Sequence, residues 1–280
     1  PYHTFIEQSY GTKVVTASIH INIGIANPEL LMQAIRLIRL EAPLYLALSA
    51  SSPFLNGRVT GDRSTRWALF PKTPSFVPLF ESHRHFIQWT EEQLKAGTLQ
   101  NVRHLWCSVR PNGDRRPYNL NRLELRICDF VASPIAQLAI VAFLEARLWQ
   151  LFENPSLDPF ESSCFKGKED LLAIADSNEI AAARDGLDAR LRHWQDGRVI
   201  IAKDWIEEIY QQVWPYARQR GFSCFLSPLK KILRHGNEAQ QWLKQSEDGV
   251  DVQSIMASAI TDMAQQELEL SDNLCPPLVA

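Results

Sequence analysis

The sequence has few cysteines and no closely spaced pair of them. Five of its 280 residues are cysteines, and none stands in a Cys-x-x-Cys pair. Neither a zinc ribbon nor a disulfide framework is therefore indicated. Widely separated thiols fit the reducing cytoplasm, and we predict a cytoplasmic protein. The cysteines are Cys107, Cys128, Cys164, Cys224 and Cys275.

An excess of basic residues is also missing. Lys and Arg number 29 against 32 Asp and Glu, which gives a formal net charge of -3. This balance excludes the charge pattern expected of a protein whose main partner is nucleic acid or an anionic membrane, and we predict neither as a partner. No stretch reaches the roughly 18 uninterrupted apolar residues of a membrane-spanning helix. With 45% hydrophobic residues the chain can still bury a large core.

Three common active-site motifs are absent. The sequence contains no Gly-x-x-x-x-Gly-Lys-Ser/Thr phosphate loop and no Gly-x-Gly-x-x-Gly dinucleotide motif. It also contains no Gly-x-Ser-x-Gly turn of the kind that carries a nucleophilic serine. The motifs therefore favour none of these three classes of nucleotide-binding protein or hydrolase.

Two segments show the strict two-residue alternation of half-buried strands. In residues 15–23 apolar side chains alternate with polar ones, and His20 and Asn22 fall on the polar side. In residues 123–128 the polar side carries Glu124, Arg126 and Cys128. We predict two strands, each with an apolar face toward the core and a polar face available to a ligand.

The remaining chain predicts helices around these strands. Asn27-Pro28 and Ser133-Pro134 are typical of helix starts, with a capping side chain followed by proline at the first helical position. Residues 51–80 hold several prolines and glycines and predict a long ordered loop. We predict a further strand at 102–109 and helices at 30–49, 83–95, 135–152, 170–195, 203–220, 227–233, 237–245 and 251–273.

These elements predict an α+β fold. Residues 1–152 are expected to form an antiparallel sheet with packed helices. Residues 153–280 are expected to form a helical region packed on that sheet. No period of 20 to 50 residues recurs, so a solenoid of repeats is not indicated.

The polar faces of the two strands suggest a phosphate and metal site. An imidazole and a carboxylate, His20 and Glu124, are workable ligands for a divalent ion bound to phosphate. Arg126 beside Glu124 offers a bidentate fork for a phosphoryl oxygen, and Ser108 and Arg110 are further candidates. The pattern alone leaves two other interpretations open, namely a structural histidine and a surface Glu–Arg salt bridge.

Arginines also gather in the predicted loops. Arg58, Arg63 and Arg66 lie in a context of Gly, Ser and Thr. Pro111-Asn112-Gly113-Asp114 predicts a turn after Arg110, and Arg115 and Arg116 follow it. Their planar, permanently charged donors suit carboxylate or phosphate recognition. An exposed basic loop without a ligand would look the same.

Four segments of the chain stand out as a set: SIHINIG at 18–24, LALSASSPF at 46–54 with GDRSTR at 61–66, WCSVRP at 106–111, and LELRICD at 123–129. In this order they resemble the glutamate-cysteine ligase family. The cyanobacterial branch is the most similar in appearance. The resemblance covers nearly the whole chain, and the four segments are specific as a set.

The resemblance implies a glutamine-synthetase-like catalytic sheet that uses ATP and Mg²⁺. Such an enzyme makes γ-glutamyl phosphate, which the amine of cysteine attacks, in the first step of glutathione synthesis. By matching positions, His20 and Glu124 resemble magnesium ligands and Arg126 resembles the residue that steadies the transferred phosphoryl group. Arg110 resembles a contact to the nucleotide phosphates.

The same resemblance implies a glutamate site in the run Ser64-Thr65-Arg66. Arg66 resembles the arginine that binds the glutamate carboxylate, and Ser64 belongs to the same run. Glutamate, cysteine and ATP are thus the implied small-molecule partners. Two other functions stay open: a ligase with a different amine acceptor, and a catalytically silent binding protein on the same fold.

The start of the chain departs from the family pattern. Family members place strands with paired, metal-binding glutamates before this region, and here the sequence opens at Pro1. We therefore expect the N-terminal part of the protein to be missing and this polypeptide alone to be a poor ligase.

Overall fold

The structure is a computed structural model that describes residues 4, 7 and 17–274. The first two positions of the strand predicted at 15–23 lie outside the described residues. The first half contains strand β1 (Ile21–Gly24), helix α1 (Pro28–Ser49), strands β2 (Phe54–Leu55) and β3 (Arg58–Val59), helices α2 (Thr65–Ala68) and α3 (His83–Ala96), and strands β4 (Val109–Asn112) and β5 (Arg122–Leu125).

The second half is mostly helical. Helix α4 (Pro134–Glu153) is followed by α5 (Pro159–Ser162), α6 (Lys168–Asp185), strands β6 (Arg190–Arg192) and β7 (Val199–Ile201), and helices α7 (Ala202–Gln219), α8 (Ser223–Leu226), α9 (Leu229–His235), α10 (Glu238–Glu247) and α11 (Val252–Leu274).

Three antiparallel strands form the central sheet, in the order β1-β5-β4. In the register of this sheet Glu124 of β5 lies opposite Asn22 of β1 on one side and Arg110 of β4 on the other. Leu123 and Leu125, on the alternate parity, are fully buried. The antiparallel sheet and its packed helices confirm the predicted α+β fold.

Helix α1 lies at the centre of the core. The Asn27 side chain caps it by accepting hydrogen bonds from the backbone N–H groups of Glu29 and Leu30, at 2.9 and 3.1 Å. From Ala34 to Ser49 every residue is buried. A helix that is buried all round needs partners on several sides, and α1 packs against the sheet, α4, α6 and α7.

Helix α6 packs along α1, so the helical second half contacts the first half closely. The hydrophobic core runs without interruption from β1 to α9. Between α1 and α4 the core encloses an ion pair of Glu41 and Arg147, and the Trp194 indole N–H donates to Glu41 at 3.2 Å. The predicted boundary between residues 152 and 153 stays a prediction.

Two predicted strands have other bounds in the structure. The strand predicted at 102–109 is wrong, because residues 101–104 form a turn and Trp106 forms an isolated bridge with Thr73. Regular pairing begins at Val109 and continues through Asn112, where a turn was predicted. Strand β5 ends at Leu125 because the N–H groups of both Arg126 and Ile127 donate to the single carbonyl of Ser108, which breaks the ladder.

The helix predicted at 170–195 is too long. It ends at Asp185, where Gly186 takes a positive φ of 61° that side-chain-bearing residues rarely adopt. The chain then forms the β6–β7 hairpin, which the sequence did not predict. The Asn178 side chain ties this hairpin to α6 through the backbone N–H and C=O of Arg192, at 2.8 and 2.9 Å.

Helix α4 is, among the described residues, the one helix whose length and apolar composition would suffice to cross a membrane. In the fold 56% of that apolar window is buried against other parts of the protein, as in an ordinary core helix.

Candidate active site

Four of the six predicted site residues come together on one face of the central sheet. Residues directly opposite each other in antiparallel strands project to the same face, so Arg110 and Glu124 are neighbours. His20, two residues before Asn22, and Arg126, two residues after Glu124, keep the same parity. We call this set, His20, Arg110, Glu124 and Arg126, the Glu124 cluster.

Glu124 contacts all three other residues of the cluster. Its Oε2 accepts hydrogen bonds from Arg110 Nε and Asn112 Nδ2, both at 2.8 Å. Its Oε1 lies 3.1 Å from Arg126 Nη1 and 3.3 Å from His20 Nδ1. The hydrogen bond between Asn112 and Glu124 was not predicted from the sequence, because residues 111–114 were predicted as a turn and not as part of a strand.

The pKa of Glu124 lies well below its usual range. Burial by itself would raise the pKa of this carboxyl group, whose side chain is 6% exposed. Hydrogen bonds from His20 and Arg110 and the positive charges of Arg110 and Arg126 outweigh burial and favour the carboxylate. Glu124 is thus ionised at neutral pH.

A depressed pKa predicts acid-sensitive stability. Ionised Glu124 stabilises the folded state fully above the ordinary carboxyl pKa of about 4.3, and this stabilisation is lost as pH falls through its lower folded-state pKa. Urea unfolding of the wild type and of Glu124→Gln should show the largest stability difference near pH 7 and a shrinking difference below about pH 4. A difference that stays constant from pH 7 to pH 3 would contradict this linkage.

Arg126 completes the cluster but keeps an unused donor. Its side chain is 12% exposed, and its buried Nε has no hydrogen-bond partner among residues 17–271. Burial lowers the pKa of the guanidinium, and the neighbouring positive charge of Arg110 lowers it further. A buried donor without a partner is costly in water-excluded surroundings, and an anionic ligand would satisfy it.

Ser108 does not join the polar face. Its hydroxyl accepts a hydrogen bond from Arg39 of α1, which also pairs with the fully buried Glu179 of α6. Arg39 Nη2 contacts Asp176 at 2.7 Å, and Lys72 Nζ contacts Glu179 at 2.8 Å. We call Arg39, Lys72, Asp176 and Glu179 the Glu179 network.

Sequence reasoning missed the Glu179 network entirely. The one available signal was the presence of charged residues, Arg36, Arg39 and Glu41, inside an otherwise apolar helix. Buried charges of this kind need partners, so their positions point to long-range ion pairs without identifying them. The network supports the loop whose Ser108 carbonyl accepts from the N–H of Arg126 at 2.7 Å.

Ser64 and Arg66 lie together, apart from these contacts, around Asp129. The hydroxyl of Ser64 donates to Asp129 Oδ1 at 2.8 Å, and Arg66 Nε donates to the same oxygen at 2.7 Å. The other oxygen accepts from Ser51 N and Ser52 Oγ. Asp129 therefore fixes the loop after α1 to the segment that follows β5, and the charge of Arg66 is balanced within the protein.

The residues present fit a partial magnesium site. Among residues 17–271, no group of three or more His, Cys, Asp or Glu side chains is arranged to hold a metal ion. Glu124 and His20 do place an oxygen and a nitrogen 3.3 Å apart on one face. Mg²⁺ is commonly bound through one or two carboxylates plus substrate phosphates, so this pair suits a site that the substrate completes.

The chain matches proteins of one family over most of its length. A relative from Sorangium cellulosum is 29% identical over 80% of this chain and 58% of its own length. One from Solibacter usitatus is 28% identical over 85% of this chain and 60% of its own. Both carry the name "Putative glutamate–cysteine ligase 2". The chain thus spans about 60% of the length of these curated relatives.

A solved structure shares the fold. The crystal structure of glutamate–cysteine ligase from Francisella tularensis in complex with AMP superposes with a TM-score of 0.62 at 13% identity, over 98% of this chain and 73% of that one. The family model of glutamate-cysteine ligase family 2 matches residues 1–266. The chain therefore belongs to glutamate-cysteine ligase family 2.

Proposed function

We propose that the whole protein is an ATP- and Mg²⁺-dependent ligase that joins the γ-carboxylate of glutamate to the amine of cysteine. The reaction would proceed through γ-glutamyl phosphate and would be the first step of glutathione synthesis, in the cytoplasm, with small molecules as its only substrates. Family membership supports the reaction class. The observation that carries the proposal is the Glu124 cluster, where arginines outnumber carboxylates on a sheet face.

The cluster suits phosphoryl transfer because that reaction depends on positioning and on positive charge around the transferred group. Arg126, with a donor left unpaired, is placed to steady the phosphoryl oxygens as they leave ATP and reach the glutamate carboxylate. Arg110 is held in a fixed orientation by Glu124 and by the carbonyls of Arg103 and Leu105, at 3.1 and 2.6 Å. We assign Arg110 to the nucleotide phosphates.

His20 and Glu124 would hold the magnesium ion. When bound, Mg²⁺ would neutralise phosphate charge and fix the nucleotide relative to glutamate. Glu124 suits this role because its pKa keeps it ionised at neutral pH. The AMP in the related Francisella tularensis structure supports a nucleotide as ligand of this fold.

The glutamate site is proposed at Ser64 and Arg66. Both side chains are buried and bonded to Asp129, and Arg66 also donates to the carbonyl of Ile127. A substrate carboxylate at this site would have to share Arg66 with Asp129. Arg66 could therefore bind glutamate only if its contact with Asp129 changed when the substrate binds, whereas Arg126 of the Glu124 cluster already has an unpaired donor.

The reaction can be tested by phosphate release. The protein should release phosphate from ATP only when glutamate, an amine acceptor and Mg²⁺ are all present. Comparison of cysteine with 2-aminobutyrate and alanine then identifies the acceptor. Release that is independent of glutamate would contradict a ligase, and a preference for another amine would replace cysteine as substrate.

Arg126→Lys should lower kcat by about 100-fold with a smaller change in the KM for ATP. Lysine keeps the charge but lacks the planar fork that contacts two oxygens of the phosphoryl group at once. Arg122→Lys is the matched control, because Arg122 lies at the other end of β5 from Arg126. It contacts the exposed Asp114 at 3.7 Å and donates to Asn121 Oδ1 at 2.7 Å, and it makes no contact with Glu124 in the described structure. If steady-state kinetics gave the same kcat for both variants, Arg126 would have no specific role in the reaction.

A further inference from the structure

The loop between β4 and β5 is held firmly against the sheet. A Cβ at Gly113 would lie 2.0 Å from the carbonyl oxygen of Asn119, so only glycine allows the loop to fold back this closely. His83 Nε2 of α3 contacts the Pro117 carbonyl oxygen at 2.8 Å, and the Tyr118 hydroxyl donates to Glu91 at 2.7 Å. This loop joins the strand of Arg110 to the strand of Glu124.

Two consecutive arginines of the loop have different surroundings. Arg115 is exposed, whereas Arg116 is half-buried. The Nη1 of Arg116 is inaccessible to solvent and has no hydrogen-bond partner among residues 17–271. The loop thus holds a guanidinium donor inside the protein for which the described residues provide neither an ion pair nor a hydrogen bond.

Arg116 also lies within electrostatic range of the Glu124 cluster. Burial, together with the charges of Arg110 and Arg126, lowers the pKa of its guanidinium to about 10, while the charge of Glu124 opposes this shift. Arg110 and Arg126 both pair with Glu124, and Arg116 adds a third guanidinium charge within electrostatic range of them. Like charges that are held together without compensation destabilise the unliganded protein, and they favour a ligand with several negative charges.

We propose that Arg116 binds the polyphosphate chain of the nucleotide, as a third arginine beside Arg110 and Arg126. The proposal rests on the proposed nucleotide site and adds a residue to it. A single carboxylate would leave two of the three arginines unbalanced, whereas the β- and γ-phosphates of ATP supply enough charge and acceptor oxygens for all of them. The contribution of Arg116 should therefore grow with the number of phosphates.

Binding of AMP, ADP, ATP and inorganic tripolyphosphate, measured by calorimetry, tests this role. Arg116→Gln should weaken the binding of ATP and of tripolyphosphate by about 10-fold to 100-fold. The affinity for ADP should fall by less, and the affinity for AMP should hardly change. Arg116→Lys should restore part of the affinity because it keeps the charge. Arg115→Gln, on the adjacent exposed position, should bind all four ligands as the wild type does.

Thermal unfolding without nucleotide separates binding from structure. Because Arg116 adds its positive charge to those of nearby Arg110 and Arg126, Arg116→Gln should unfold at the same temperature as the wild type or a higher one. Equal loss of AMP and ATP affinity together with a lower unfolding temperature would assign Arg116 a structural role and overturn the proposal.

The two proposals can fail separately. If the wild type binds ATP but ligates nothing, the proposed function is wrong while the Arg116 assignment stands on the binding data. If neither ATP nor tripolyphosphate binds to the wild type, the Arg116 assignment is overturned as well.

Discussion

Glu124→Gln is expected to lower Mg²⁺-dependent turnover by at least about 100-fold, because loss of a residue that only positions a metal ligand already costs about 10-fold to 100-fold and Glu124 is proposed as a ligand itself. Glutamine is neutral, and its amide N–H₂ would face donors of Arg110, Asn112 or Arg126 where Glu124 now offers only acceptors. The variant should also need more Mg²⁺ for half-maximal rate. Phosphate release at varied Mg²⁺ concentration measures both effects.

Asp114→Asn is the matched control for this change. Asp114 is a carboxylate of the same hairpin, but its side chain is 74% exposed and its contact to Arg122 is 3.7 Å long. Loss of such an exposed charge should leave turnover within about twofold, as expected for surface ion pairs of little energetic weight. If Glu124→Gln retained near wild-type turnover, the assignment of the metal site would be wrong.

Glu179→Gln is expected to lower the free energy of unfolding by about 3 to 5 kcal/mol. Glu179 is fully buried between Arg39 and Lys72, and its loss would leave the buried guanidinium of Arg39 with one carboxylate partner, Asp176. Removal of one member of a buried ion pair is costly because the remaining charge stays out of water. Urea denaturation at pH 7 measures the effect.

Asp176→Asn tests the same network at its exposed edge. The Asp176 side chain is 44% exposed and also contacts Arg39, so water can replace much of its interaction. We expect a loss of about 1 kcal/mol or less. If both substitutions lowered the free energy of unfolding equally, burial would not explain the contribution of Glu179 to stability.

The Glu179 network has a consequence for the candidate site. Arg39 bonds to the Ser108 hydroxyl, and the Ser108 carbonyl accepts from the N–H of Arg126. The ion pairs between α1 and α6 therefore help to fix the backbone at Arg126, the proposed phosphoryl-binding residue. The helical second half of the chain thus supports the site without contributing a residue to the Glu124 cluster.

Part of the site follows from local sequence. The alternation in residues 123–128 identified Glu124 and Arg126 as neighbours on one polar face, and the alternation before Gly24 did the same for His20 and Asn22. Capping residues located α1 and α4 closely, since Asn27 and Ser133 both accept the expected backbone hydrogen bonds. These features depend only on residues near one another in the chain.

The other part follows from strand register. Nothing local to residues 109–112 indicates that Arg110 will lie opposite Glu124, because a shift by one residue would turn Arg110 to the other face. The prediction of a strand at 102–109 was wrong for the same reason. Its apolar residues satisfy the strand pattern, but the neighbouring strand is available only from Val109 onward.

The sequence by itself determined the fold class, the family resemblance and the chemical types gathered on the strand faces, since these depend on local periodicity and motif order. The tertiary structure decided which charges meet. It joined Arg66 to Asp129, Arg39 to Glu179, and two arginines to Glu124, across separations of up to 140 residues. The physical reason is that buried charges choose partners by proximity in the packed core, which sequence distance does not reveal.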